Sequence, residues 1–339
     1  MKAAFYERNK TVRLGSVEPE PPAAGEIQIE VHSCGICGTD VGIYQGKMDW
    51  RVASSQIMGH EMSGLILAVG EGGDHLHPGQ AVTVMPLDPC GQCINCQRGL
   101  SHICDRLNFL GIDSPGAFQQ VWTVPAHTVC PLPETLPLEL GALIEPLAVA
   151  CHDVRLAELA PGTSTAIIGG GPIGALIGLV ARQRGARVTF AELNPARIER
   201  LRQLGFEALD PRETDLPALF KERTEGAGAE VVFEVSGHPD GAQLATELPR
   251  ARGLIVVVGI FAKPIEFALF PFFWKELRMR GARVYEREDF EEAIRLASEN
   301  SLPLADLITT RQPLNGLRAG LEQMVAGGDT MKILINCQK

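Results

Sequence analysis

Residues 165–174 run Thr165-Ala166-Ile167-Ile168-Gly169-Gly170-Gly171-Pro172-Ile173-Gly174, an apolar stretch that breaks into glycines and a proline. The apolar part predicts a buried strand, Pro172 suits a helix's first turn, and Ala175 to Gln183 continues with helical spacing. Taken alone, Gly169-x-Gly171-x-x-Gly174 is a weak pattern. Set between a strand and a helix, with Pro172 and Ile173 opening the helix, it predicts a cradle for a pyrophosphate, because missing side chains let backbone N–H groups and the positive helix end approach the charge. Glu192 follows 18 residues after Gly174, at the end of the next apolar run, where such an arrangement sets a carboxylate against ribose hydroxyls. The runs AEVVFEVSG and LIVVVGIF then put Ser236 and Gly259-Ile260 at the carboxyl ends of two more strands, expected to line the nicotinamide half of the cofactor. Short apolar runs alternating with helical ones from Thr163 onward predict an α/β unit with a doubly wound parallel sheet.

Working outward, residues 1 to about 150 are rich in Gly and Pro and carry short alternating strands such as Glu26 to Val31, which predicts a mostly β region. Pro161-Gly162 marks the passage from one rhythm to the other, and 339 residues suit two domains of roughly 100 to 200 residues each. After about residue 290 two helices and a final strand are expected; the pattern by itself does not say which domain they join. The charge of −10 and the scattered Lys and Arg residues speak against a nucleic-acid partner. There is no apolar run of about 18 to 20 residues and the first residues lack a signal-peptide core, so a cytoplasmic protein with no membrane partner is expected.

The nine cysteines are distributed unevenly. Cys90, Cys93, Cys96 and Cys104 follow C-x2-C-x2-C-x7-C, with Gly91 and Gly99 supplying tight turns. Four thiolates fill a tetrahedral zinc shell, so this loop reads as a closed, structural site. Iron–sulfur clusters also use four thiolates, but at other common spacings. A second set is spread along the chain: Cys37 in CGICGTD (34–40), His60 in GHEMSG (59–64) and Glu145 in IEPL (144–147). Singly each is ordinary. Together they offer a thiolate, an imidazole and a carboxylate, a composition that suits a catalytic zinc with one position left open. Cys34, Cys130, Cys151 and Cys337 read as small apolar core residues.

The order of these motifs, from CGICGTD through GHEMSG, the four-cysteine loop and IEPL to GGGPIG, resembles the zinc-containing medium-chain dehydrogenase family over essentially the whole chain. The likeness is greatest to its sorbitol, threonine and butanediol dehydrogenase branch. It implies a GroES-like β-barrel catalytic domain over 1–152, completed by 291–339, a Rossmann domain over 153–290, and an active site in the cleft between them. It implies Cys37 and His60 as ligands of the catalytic zinc, with either Glu61 or Glu145 as the third. Thr39 matches the hydroxyl that passes the substrate proton outward, and Asp40 a carboxylate that orients the metal-binding imidazole. Gly42 departs from the many relatives that carry a His there to continue the relay, which leaves water, the cofactor ribose or nearby Tyr44 to replace it. Arg283 and Tyr285 lie one residue out of register with a substrate-binding Arg–Tyr pair of sorbitol dehydrogenases. A homo-tetramer or homodimer is implied as well.

The expected function is zinc-dependent hydride transfer from a secondary alcohol, a polyol or sugar-derived alcohol, to NAD, with L-threonine or 2,3-butanediol as alternative substrates. A zinc-free reductase of the same superfamily would lack Cys37, His60 and Glu145, and a non-catalytic nucleotide-binding protein would have no use for an open metal site. NAD is expected over NADP because Glu192 would meet a 2′-phosphate as like charge. Arg197, five residues on, is the counterargument, with its side chain expected to point to solvent.

Overall fold

A computed structural model describes residues 1–73 and 75–339. The chain divides into two compact units, Met1–Pro146 with Glu286–Lys339, and Leu147–Tyr285. The first boundary falls inside one helix, Ile144–Leu156.

The first unit is built on a seven-stranded sheet. Its centre is the strand Glu26–Gly35, whose alternating burial follows from the alternation of Ile27, Ile29 and Val31 with Gln28 and Glu30. One edge of this strand pairs antiparallel with Glu61–Val69. Its other edge is shared, Val121–Pro125 pairing with residues 26–30 and the chain's last strand, Lys332–Asn336, with residues 33–35. The C-terminal tail therefore completes this unit. The tail also holds a strand that the sequence pattern did not reveal, Ile308–Pro313, parallel to Lys332–Asn336. Its residues, Ile-Thr-Thr-Arg-Gln-Pro, show neither clean alternation nor an apolar run, so pairing rather than local pattern makes it a strand.

The second unit is a six-stranded parallel sheet in the order Glu207–Leu209, Arg187–Ala191, Ser164–Ile168, Ala229–Glu234, Pro249–Val257, Arg278–Gly281. Numbered along the chain this is 3-2-1-4-5-6, and the order reverses between Ser164–Ile168 and Ala229–Glu234, where open α/β sheets bind ligands beyond the strand ends. Ser164–Ile168 is buried along its whole length. The helix Pro172–Gln183 follows with Gly171 as its N-cap and Pro172 in its first turn, and residues 174–181 are all buried. The core beneath the sheet gathers Ala166, Ile168, Leu216, Phe220, Val232, Leu248 and Ile255. Among the described residues no helix is long and apolar enough to cross a membrane.

Candidate functional site

In the first unit the strand Glu61–Val69 begins directly after His60, and the helix Gly38–Tyr44 begins directly after Cys37. The two element ends bring one ligand atom each from Cys37, His60 and Glu61 within 4.8 Å of one another. His60 and Glu61 are buried and Cys37 is half-buried. Glycine makes this approach possible, since a Cβ at Gly35 would collide with the Glu61 carboxylate. The Phe109 ring meets the His60 ring edge-on at 5.3 Å.

Glu145 is buried in the first turn of Ile144–Leu156 and stands outside this group of three, close enough to act on His60 by charge. Asp40 is wholly buried; its Oδ2 accepts the Cys37 N–H at 2.9 Å, and its Oδ1 faces His60 Nδ1 at 3.8 Å. Neither of these last two atoms has a hydrogen-bond partner among the described residues. Burial pulls the His60 imidazole down, but the charges of Asp40, then Cys37 and Glu145, outweigh it and hold it up at about 10. Burial raises the Asp40 carboxyl above the ordinary range, against the pull of His60. A buried pocket that so favours positive charge, with sulfur, nitrogen and oxygen donors converging in it, fits a divalent cation of the zinc type.

Lys332 was not foreseen. Its Nζ donates to Glu61 Oε1 at 2.8 Å, to Glu61 Oε2 at 2.6 Å and to the Ile36 carbonyl at 3.3 Å, all buried. Burial works against the ammonium, yet Glu61 first, then Cys37, keep it charged beyond its ordinary range. A lysine opening an otherwise apolar strand, Lys332-Ile333-Leu334-Ile335, was the available signal.

Thr39 lies half-buried, two residues from Cys37 in the helix Gly38–Tyr44. At Gly42 an added Cβ would meet nothing nearer than Met48 Sδ at 4.0 Å, so the position is open. The Tyr44 hydroxyl donates to Glu322 Oε1 at 3.1 Å and is committed there.

The four-cysteine loop wraps around the short helix Ile94–Gln97, with Gly91 and Gly99 in the left-handed region at φ 68° and 79°. Sγ–Sγ distances are 3.5 Å for Cys93–Cys96, 3.7 Å for Cys93–Cys104 and 3.4 Å for Cys90–Cys104. A zinc tetrahedron with bonds of about 2.3 Å has edges of about 3.8 Å, so the sulfurs stand near a zinc shell's spacing. The backbone N–H groups of Gln92 and Cys93 hold Cys90 down at about 6, which favours a thiolate ligand.

In the second unit Gly169, Gly171 and Gly174 form the turn from strand to helix. Gly169 has φ 103°, and a Cβ on it would press Ser236 N at 3.0 Å; a Cβ at Gly174 would collide with the Gly169 carbonyl. Pro172 and Ile173 are half-buried at the helix start. The Glu192 carboxylate accepts N–H groups of Gly170 at 2.6 Å, Leu193 at 2.7 Å and Asn194 at 2.8 Å. Arg197 departs from expectation: its guanidinium turns toward the glycine loop, with Nη1 3.7 Å from where a Gly171 Cβ would sit, and its Nε is buried. The N-cap Asn194 starts the helix Pro195–Gln203 so that position 197 faces back. Gly259 packs on Gly237, and Ile260 is 86% exposed. Tyr285 is wholly buried, which suits a core residue better than a substrate contact.

Two family models match the chain, the alcohol dehydrogenase GroES-like domain over residues 23–134 and the zinc-binding dehydrogenase over residues 172–299. The chain is 45% identical to the 2-dehydro-3-deoxy-L-galactonate 5-dehydrogenase of Pseudoalteromonas atlantica, over 99% of both sequences. It is 32% identical to the L-galactonate-5-dehydrogenase of Escherichia coli, over 90% of this chain and 89% of that one. Among solved structures, a zinc-binding dehydrogenase from Sinorhizobium meliloti bound to NADP matches with a TM-score of 0.93 at 27% identity, over 99% of this chain and 98% of that one.

Proposed function

The chain belongs to the zinc-containing medium-chain alcohol dehydrogenase family and is an oxidoreductase acting on a CH–OH group, and from that footing we propose that it oxidises a secondary hydroxyl of a sugar acid with NAD as acceptor. The observation that carries the reading is the convergence of Cys37, His60 and Glu61 in a buried pocket that favours a cation, separate from the closed four-cysteine site. The sugar-acid class extends the expected sugar-derived alcohol and draws on the names of the two relatives above.

In this reading Cys37, His60 and a carboxylate, Glu61 or Glu145, hold the catalytic zinc, and Cys90, Cys93, Cys96 and Cys104 hold a structural one. A zinc ion held in the first position would supply Lewis acidity toward the alcohol oxygen, and a bound NAD would supply the hydride acceptor. The alcohol carbon gives up a hydride, its oxygen gives up a proton, and a ketone remains. The chain's own residues do the rest. Thr39 takes the hydroxyl proton and hands it outward. Asp40, facing Nδ1 of His60, holds the imidazole in place. Lys332 pairs with both Glu61 carboxylate oxygens and fixes their position. The N–H groups at the start of Pro172–Gln183 receive the pyrophosphate, Glu192 faces the adenosine ribose, and Ser236, Gly259 and Ile260 line the nicotinamide half. With Gly42 open and the Tyr44 hydroxyl bound to Glu322, the path beyond Thr39 is open to water, and the ribose of a bound cofactor would be the other proton carrier.

A cytoplasmic homo-oligomer, a dimer or tetramer, completes the reading. Nine cysteines, four of them gathered at zinc-ligand spacing, suit a reducing compartment. The wholly exposed edge strand Arg278–Gly281 and the exposed Phe270, Phe273 and Trp274 support association, since an unpaired edge beside apolar surface is a template for another chain. NADH production with a panel of aldonic and deoxy-aldonic acids, polyols, L-threonine and 2,3-butanediol tests the substrate class. A best substrate outside the aldonic and deoxy-aldonic acids, L-threonine included, refutes the sugar-acid assignment, and light scattering gives the mass of the assembly.

A further inference from the structure

Glu234 ends the strand Ala229–Glu234 with 1% exposure. Its carbonyl oxygen accepts the N–H groups of Val258 at 2.8 Å and Gly259 at 2.9 Å. Its carboxylate Oε1 accepts the Ser236 N–H at 3.0 Å, the Ser236 hydroxyl, and the Gly237 N–H at 3.2 Å, the last shared with Oε2. The Ser236 hydroxyl oxygen in turn accepts the His238 N–H at 3.1 Å, at the head of the helix Pro239–Glu247. One residue thus ties together the loops that leave two neighbouring strands.

The packing around it is close. A Cβ at Gly259 would collide with Gly237 N and the Glu234 carboxylate, and one at Gly241 with the Ser236 hydroxyl. The same Ser236 backbone lies across Gly169, the first glycine of the phosphate loop. Burial pushes the Glu234 carboxyl above the ordinary carboxylate range, against the pull of Ser236 and Gly237. A buried carboxylate is costly, and this one directs its bonds inward to backbone.

We propose that Glu234 is a positioning residue for the nicotinamide half of the cofactor site, setting the spacing between Ser236-Gly237 and Gly259-Ile260 without touching the cofactor itself. The inference rests on the NAD-linked reading above. A glutamine at 234 would keep the main-chain bonds to Val258 and Gly259 and one acceptor oxygen for Ser236, but it would set an NH2 group in place of the carboxylate oxygen Oε2 that meets the Gly237 N–H and packs against Gly259, so the contact between the two loops would loosen there. ADP-ribose carries the adenosine and pyrophosphate but no nicotinamide, so it reports on the glycine loop and Glu192, which the Glu234 carboxylate reaches only through the packing of Ser236 on Gly169.

The test compares wild type, Glu234→Gln and Glu234→Asp as full-length, zinc-loaded proteins, titrated with NADH by fluorescence and with ADP-ribose by calorimetry. Glu234→Gln is expected to weaken NADH about tenfold, the scale of one lost hydrogen bond to a charged group, and to leave ADP-ribose within about twofold. Glu234→Asp, which keeps the charge but shortens its reach, should show the same selective loss and serves if the glutamine variant does not fold. Equal losses for both ligands would make Glu234 a general stabiliser, and no loss for either would remove its role; each overturns the proposal. Failure of the wild type to bind either ligand would overturn the NAD-linked reading and the proposal with it.

Discussion

Lys332 Nζ lies 2.8 Å and 2.6 Å from the two carboxylate oxygens of Glu61, an ion pair whose side chains are 3% and 1% exposed. The pair joins the last strand of the chain to the edge of the candidate catalytic metal site. Removing one member of a buried pair leaves the other charge unpaired and costs about 3 to 5 kcal/mol. Lys332→Met should therefore destabilise the protein by that order in urea unfolding, and adding Glu61→Gln should restore part of the loss. A single-variant loss below about 1 kcal/mol would show that the lysine does not neutralise Glu61.

Much of this site was legible in the sequence, because zinc ligands and glycine turns have chemistries with few substitutes at their spacing. Cys37, His60 and the four-cysteine loop announce themselves in that way. Lys332 does not, because its partner lies 271 residues away and the two meet only through the pairing of Lys332–Asn336 with Glu26–Gly35. Long-range strand register leaves no local pattern to read. Glu234 was hidden for a related reason: at the end of an apolar strand a glutamate reads as a solvated terminus, and only the return of Val258 and Gly259 encloses it. The direction of Arg197 depends on where Asn194 caps the helix, which local spacing does not encode.

Two zinc ions per chain are expected. The four-cysteine loop and the Cys37, His60 and Glu61 cluster are separate donor sets, each within 4.8 Å internally. Elemental analysis of Cys37→Ser should find one equivalent, with activity abolished and the unfolding midpoint little changed. Cys93→Ser should also lose one equivalent but chiefly lose stability. One zinc in fully active wild type refutes the two-site assignment, and the reverse pattern in the variants exchanges the two roles.

Thr39→Val keeps the side chain's shape in the helix Gly38–Tyr44 and deletes the hydroxyl. Positioned proton transfer contributes about 10²-fold or more, so turnover near neutral pH should fall by that order while zinc content stays constant. A solvent isotope effect in the wild type establishes whether proton transfer limits the rate. Unchanged turnover under that condition removes Thr39 from the proton path.

NAD is expected over NADP, on grounds the geometry makes more specific. Three backbone N–H groups, of Gly170, Leu193 and Asn194, hold the Glu192 carboxylate in place, so it cannot swing away from a 2′-phosphate. They occupy three of the roughly four acceptor positions a carboxylate offers, which leaves about one for a ribose hydroxyl. Hydrogen bonds to a charged group contribute about 1.5 to 3 kcal/mol, so exchanging that bond for repulsion should favour NAD by one to two decades in kcat/KM. Arg197 does not reverse the preference. Its guanidinium faces Gly171, where the pyrophosphate common to both cofactors is expected, so it should assist the two alike. Glu192→Ala should accordingly narrow the NAD to NADP ratio, while Arg197→Ala should weaken both cofactors and leave the ratio near its wild-type value. Equal use of NADP by the wild type would show that Glu192 does not face the ribose, and a loss confined to NADP in Arg197→Ala would move that arginine from the pyrophosphate to the 2′-phosphate.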